Sequence, residues 1–122
     1  KRRRMVVQKF RVWDTVKKAM SEVQAIVYTE EKVYPIYFKE IRRYIPFSEA
    51  ILMQSTGLVD KNGQEIFEGD VVRMSSGELL LVKLHHGMFT PVCFYISGVF
   101  EREGNVFDHP ELLEDPDFRE DE

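Results

Sequence analysis

A chain of 122 residues with 43% hydrophobic content, nine Phe, five Tyr and one Trp can pack one compact domain, or two small β subdomains sharing a core. No apolar run approaches the roughly 20 residues that span a bilayer, the basic start leads into no long apolar stretch of a signal peptide, and one cysteine, Cys93, excludes an internal disulfide framework. A cytoplasmic protein without cofactor or membrane contact is therefore expected. The net charge of −4 is polarised: residues 1–50 hold twelve Lys/Arg against six Asp/Glu (+6), and residues 51–122 hold five against fifteen (−10).

Residues 1–5, opening Lys1-Arg2-Arg3-Arg4, form a basic leader expected to be flexible. In Val6–Trp13, Val6, Phe10 and Val12 share one parity and Lys9 and Arg11 the other, with Trp13 on the charged face. A period of two predicts a half-buried strand. Asp14-Thr15 is a polar break, and Val23, Ile26 and Val27 mark a second strand over Met20–Tyr28. Val33–Phe47 is ambiguous. Val33-Tyr34-Pro35 favours an extended edge, while Tyr37, Ile41, Tyr44 and Ile45 recur at helical spacing and predict a short helix over 37–44, before Pro46.

The second half reads more plainly. Ile51–Thr56 is a strand, Gly57 a hinge, and Asp60-Lys61-Asn62-Gly63 a turn in which Asn-Gly supplies positive φ. Gln64–Phe67 is a short strand, Glu68-Gly69-Asp70 a bend, and Val71–Met74 another strand. Leu79–Leu84 is apolar on both faces and reads as central. His85-His86-Gly87 turns the chain into a strand over Phe89–Ile96, and Val99–Arg102 with Asn105–Phe107 completes the set. Short strands at roughly 8–12-residue spacing predict a mainly β fold, a small barrel or sandwich of antiparallel strands. Leu112-Leu113 docks back, and beyond Asp115 the acidic composition predicts disorder.

Several motifs stand in order along the chain: Phe10-Arg11-Val12-Trp13-Asp14; Leu52-Met53-Gln54 with Thr56-Gly57-Leu58; Asp60-Lys61-Asn62-Gly63, Glu65-Ile66 and Glu68-Gly69-Asp70; and Gly104-Asn105-Val106-Phe107 before Pro110-Glu111-Leu112-Leu113. Together they resemble the YopX family, small proteins found mostly in bacteriophages and prophages and without an established biochemical activity. The resemblance covers roughly residues 9–113, departs from the family pattern at His109, and finds no motif in 15–50. It implies a predominantly β fold and a mobile-element origin, and with the strand and charge pattern the chain reads as a single YopX-like domain over 6–113, divisible into an N-terminal subdomain 6–50 and a β-barrel-like subdomain 51–107, with an acidic tail 114–122 expected to be disordered. It implies no catalytic residue: its motif positions Phe10, Arg11, Trp13, Asp14, Gln54, Gly57, Asp60, Asn62, Gly63, Glu68, Gly69, Asp70, Gly104, Asn105 and Pro110 read as structural.

The chemistry-bearing residues each admit a structural reading. Asp60, Asn62, Glu65, Glu68 and Asp70 are oxygen donors suited to a hard cation, but Gly63 arrives too early for a calcium loop and turn chemistry accounts for the same residues. Adjacent His85 and His86 point to opposite faces if extended, so no zinc site is expected. Cys93, in the apolar run Pro91–Ile96, reads as a buried, inert thiol. No phosphate-cradling glycine motif or nucleophile elbow is present, so no enzyme is expected. The favoured reading is a non-catalytic, self-associating interaction module. Two alternatives stay open: nucleic-acid binding through Lys9, Arg11, Trp13, Lys39, Arg42 and Arg43, against which a pI near 5.5 weighs, and inhibition of a host factor through the acidic tail.

Overall fold

The computed structural model describes residues 8–36 and 42–120. Among the described residues, eleven strands carry the fold, joined by turns and short 3-10 segments. Strands β1 (Phe10–Asp14), β2 (Ala19–Val27), β3 (Lys32–Pro35), β4 (Ile45–Pro46), β5 (Ala50–Val59) and β6 (Glu65–Phe67) form one antiparallel sheet in the order β4-β3-β2-β1-β5-β6. Strands β7 (Asp70–Met74), β8 (Leu79–Leu81) and β11 (Phe100–Asn105) form a second, in the order β11-β7-β8, while β9 (Lys83–His85) and β10 (Met88–Thr90) make a hairpin. The fold is mainly β, as the strand spacing predicts, but the sheets stay open and no barrel closes.

Local chemistry fixes the turns. Asp14 ends β1 by accepting the Val16 and Lys17 N–H groups on Oδ1, at 2.9 and 3.1 Å, an Asx-type cap that bends the chain back into β2. Asp60 does the same after β5, accepting from Asn62 and Gln64, both at 2.9 Å, and Gly63 supplies the φ of +81°. Gly57, at φ +77°, lies where the β5–β6 register shifts between Ser55 and Val59, so β5 runs through the expected hinge as a bulged strand.

There are two apolar centres. Val12, Val33 and Ile45 pack with Val23, Phe47, Ala50 and Leu52 under the first sheet. Ile66, Val72, Met74, Val82, Val92 and Phe100 pack with Leu80, Phe89 and Val99 in the second. Because Ile66 lies on β6, the edge of the first sheet anchors the core of the second, and β5–β6 is the seam between the two.

Several sequence expectations differ from the fold. Of the expected helix over 37–44, residues 37–41 lie outside the described residues, and Arg42–Tyr44 are not helical. Leu79–Leu84 is not one central strand. Leu79–Leu81 is the outer strand of its sheet, and Val82 turns inward, donating to Asp70 O and accepting from Gly69 N–H, before β9 begins. The strand expected over Phe89–Ile96 stops at Thr90: Pro91 offers no N–H to a ladder, and a 3-10 turn over Val92–Phe94 follows. Cys93 is consequently exposed rather than buried. Within the stretch beyond Asp115, whose composition predicts disorder, residues 117–119 lie against β8, with Leu79 N–H donating to Asp117 O and Arg119 N–H donating to Leu79 O, both at 2.9 Å.

Candidate functional site

The motif residues converge on the seam. Period-two reading puts Arg11 on a solvent face, yet its side chain is only 7% exposed, because the second sheet covers that face and brings Asp70 to it. Asp70 Oδ1 lies 2.9 Å from Arg11 Nη2 and 3.1 Å from Arg102 Nε. These contacts are not well-aligned hydrogen bonds, so the attraction is coulombic in a partly desolvated place. Asp70 Oδ2 accepts the Phe67 N–H at 2.8 Å. The Arg11 guanidinium also donates to Glu68 O at 3.1 Å and sits 4.8 Å from the centre of the Phe67 ring. Burial pulls the Arg11 pKa below its ordinary value, against the stabilising pull of Asp70.

Other motif positions tighten the same joint. Trp13 stacks on Phe107 with ring centroids 5.5 Å apart. Asp60 Oδ2 accepts the Arg102 N–H at 2.8 Å, tying the β5–β6 turn to β11. Burial alone would raise the Asp60 pKa, but its three backbone donors outweigh that and the net shift is downward. Asn105 Oδ1 accepts from Phe107 and Asp108, and its Nδ2 donates to Asp108. Gly69 (φ +91°) turns the chain into β7. A Cβ on Gly104 would sit 2.7 Å from the His109 ring, so the chain needs glycine there for close approach. Glu68 accepts from Gln54 N–H at 3.3 Å, Asn62 donates to Glu101, and Pro110 opens the final 3-10 turn over Pro110–Glu114. Phe10 is half-buried in β1.

The residues read as possible nucleic-acid contacts do not gather into one basic face among the described residues. Lys9 is exposed and pairs with Glu65 at 2.8 Å. Arg11 is buried against Asp70, and Trp13 is half-buried against Phe107. Arg42 grips both oxygens of Asp14 at 2.9 Å and reaches Glu49 at 2.6 Å. Burial pushes the Asp14 carboxyl up, but Arg42 and the two backbone donors more than reverse it. Arg43 is exposed, and Lys39 lies outside the described residues.

An open cleft of about 560 Å³ crosses the seam on the hairpin side, lined among others by Gln8, Lys9, Ser55, Glu65, Leu84 and Phe89. Ser55 Oγ donates to Glu65 Oε2 at 2.5 Å, opposite the oxygen that holds Lys9. The Glu65 hydrogen bond raises the Lys9 pKa. Burial pushes Glu65 up, but Lys9 and Ser55 pull it further down. Both groups are thus held charged near neutrality, which suits an ion pair and not proton transfer. Ser55 faces a carboxylate with no imidazole between them, so nothing prepares it as a nucleophile.

No group of three or more His, Cys, Asp or Glu fit to hold a metal occurs among the described residues. His85 and His86 do not point apart as an extended reading requires: His86 takes φ +50° at the hairpin tip, and the two rings meet with centroids 4.1 Å apart. A different feature stands out on this side. Leu84 and Met88 on the hairpin, and Phe94 (63% exposed), Tyr95 and Ile96 (77% exposed) beyond it, all lie in water within residues 83–98. Phe94–Ile96 falls within the strand expected over Phe89–Ile96. Only the break at Pro91 signalled otherwise.

The family described as YopX protein matches residues 9–114. Among solved structures, protein EF1440 from Enterococcus faecalis is 28% identical, with a TM-score of 0.69 over 89% of this chain and 99% of that one. Protein YopX from Bacillus subtilis is 20% identical, with a TM-score of 0.57 over 86% of this chain and 97% of that one, a likeness of fold. No curated protein matches the chain.

Proposed function

The chain belongs to the YopX family, and we propose that it is a non-catalytic interaction module that self-associates through the apolar lobe at residues 83–98. The exposed side chains of that lobe carry the reading. Leu84, Met88, Phe94, Tyr95 and Ile96 together leave on the order of 500 Å² in water, comparable with the roughly 300–600 Å² of the largest patch on a typical monomer, which is often functional. Two such patches would together bury on the order of 1,000 Å², the lower bound for a specific interface between two proteins, so a second copy seated on the lobe is a weak, concentration-dependent partner. The sheet edges support the reading less, since β4 and β6 are two and three residues long and offer little ladder to a partner.

Nucleic-acid binding has weaker support, because Lys9, Arg11 and Arg42 are each held by carboxylates of the same chain. Inhibition of a host protein through the acidic tail is weakened in the same way, with Asp117 engaged by Arg73 at 3.1 Å. A bacteriophage or prophage setting and a cytoplasmic location complete the proposal, resting on the motif resemblance and the lone cysteine.

The test is size-exclusion chromatography with light scattering and dual-wavelength absorbance, at tens of micromolar, on protein purified without nuclease. A defined multimer free of nucleic acid, converted to monomer by Phe94→Ser/Ile96→Ser with unchanged circular dichroism, is the expected result. A wild-type monomer refutes self-association, and one carrying salt-removable nucleic acid promotes the second reading.

A further inference from the structure

The outer edge of β8 is covered at Leu79 by a later segment of the same chain. Residues 117–119 run parallel to β8, bridging Leu79 and Phe118, with Leu79 N–H and Leu79 O both bonded to this segment at 2.9 Å. Arg73 reaches from neighbouring β7 to Asp117 at 3.1 Å, and Phe118 is half-buried. This is strand addition performed within one chain.

The cover is slight. Both backbone bonds go to one residue, the ion pair is solvent-exposed and so contributes little, and a segment with so few buried contacts opens at low cost. The acceptor is larger than its occupant. Val82 directs its backbone groups inward to β7, so by the two-residue alternation of an antiparallel ladder Leu81 turns its own toward the same edge as Leu79. A groove of about 460 Å³ lies between Phe118 and Glu120 of this segment and Leu81, Lys83 and Leu113, so these three leave acceptor surface that the segment does not fill.

We propose that the β8 edge is an acceptor site for an extended peptide of a partner protein carrying a carboxylate followed by an aromatic residue, and that residues 115–119 are its built-in competitor. The cis segment defines the chemistry: backbone pairing on Leu79 and Leu81, the carboxylate on Arg73, and the aromatic ring beside Leu81 and Leu113, where Phe118 lies. A tethered segment on a short linker acts at an effective concentration near millimolar, so micromolar peptide gains access only when the tether is weakened or outmatched. The site meets the lobe of residues 83–98 only at Lys83 and does not depend on self-association.

The probe is a fluorescently labelled peptide with the sequence of residues 114–120, titrated against the full chain and against its Asp117→Ala/Phe118→Ala form. The substituted chain should bind at least tenfold more tightly than the wild type, and a peptide carrying the same two substitutions should not bind. Equal binding by both chains, or binding by neither, overturns the proposal. Should the substituted chain misfold, hydrogen exchange on the unmodified chain decides. Millimolar peptide should speed exchange at the Arg119 amide while the Leu79 amide stays protected. An unchanged Arg119 rate overturns the proposal.

Discussion

Replacing Asp70 by Asn isolates the charge at the seam while keeping the side chain's size. Asp70 is fully buried, and its loss of charge leaves Arg11, 7% exposed, without a counterion. Arg102, with 27% of its side chain exposed, can turn to water instead. Breaking a buried pair on one side costs about 3–5 kcal/mol. The lower end applies here, because Glu68 O and the Phe67 ring still hold the Arg11 guanidinium. A loss of about 3 kcal/mol should lower Tm by about 10 °C in a chain of this size and move the urea midpoint by about 1–2 M. Both shifts are measurable by circular dichroism. Arg11→Met/Asp70→Leu should cost less than the two single changes summed, by at least about 1 kcal/mol, because neither charge is then stranded. An Asp70→Asn protein within about 0.5 kcal/mol of wild type, or single changes that simply add, would refute the account of the seam.

Gly69→Val should lower stability by about 1–3 kcal/mol, since φ is +91° and the added Cβ would press on Met53 Sδ at 3.1 Å; an unchanged melting temperature would remove this explanation of the bend. Stability should also fall in acid. Asp14 and Asp60 sit below their ordinary value of 3.8, and Glu65 below 4.5. Near pH 4 the unfolded chain therefore binds more protons than the folded one, so stability is complete above roughly pH 5 and drains as pH falls through about 4 and below. Denaturation midpoints measured from pH 7 down to 3 should show that fall, with a shallower slope for Asp60→Asn. A flat profile would contradict it.

The turns were legible because each is encoded within a few residues. Asp14 and Asp60 cap the N–H groups just beyond them, and Asn62-Gly63 supplies the backbone angle its hairpin requires. Apolar alternation likewise located most strands, since the side-chain period of a strand is a local property. Local pattern failed where two elements compete for one segment. Leu79–Leu84 is uniformly apolar, so nothing within it marks Val82 as the point where the chain leaves one sheet for the hairpin. Phe94–Ile96 is apolar enough for a core, yet the turn after Pro91 delivers it to solvent.

Residue pattern is enough to establish a mainly β chain of short strands, its turns, and the motif order that marks its family. Tertiary structure alone decided which strand faces are covered. Arg11 belongs to the polar parity of β1 and becomes buried only because β7 and β11 carry Asp70 and Arg102 across it; Trp13 meets Phe107 for the same reason. Alternation specifies that a strand has two faces. Which of them meets water depends on chain packed from far along the sequence, which no local pattern contains.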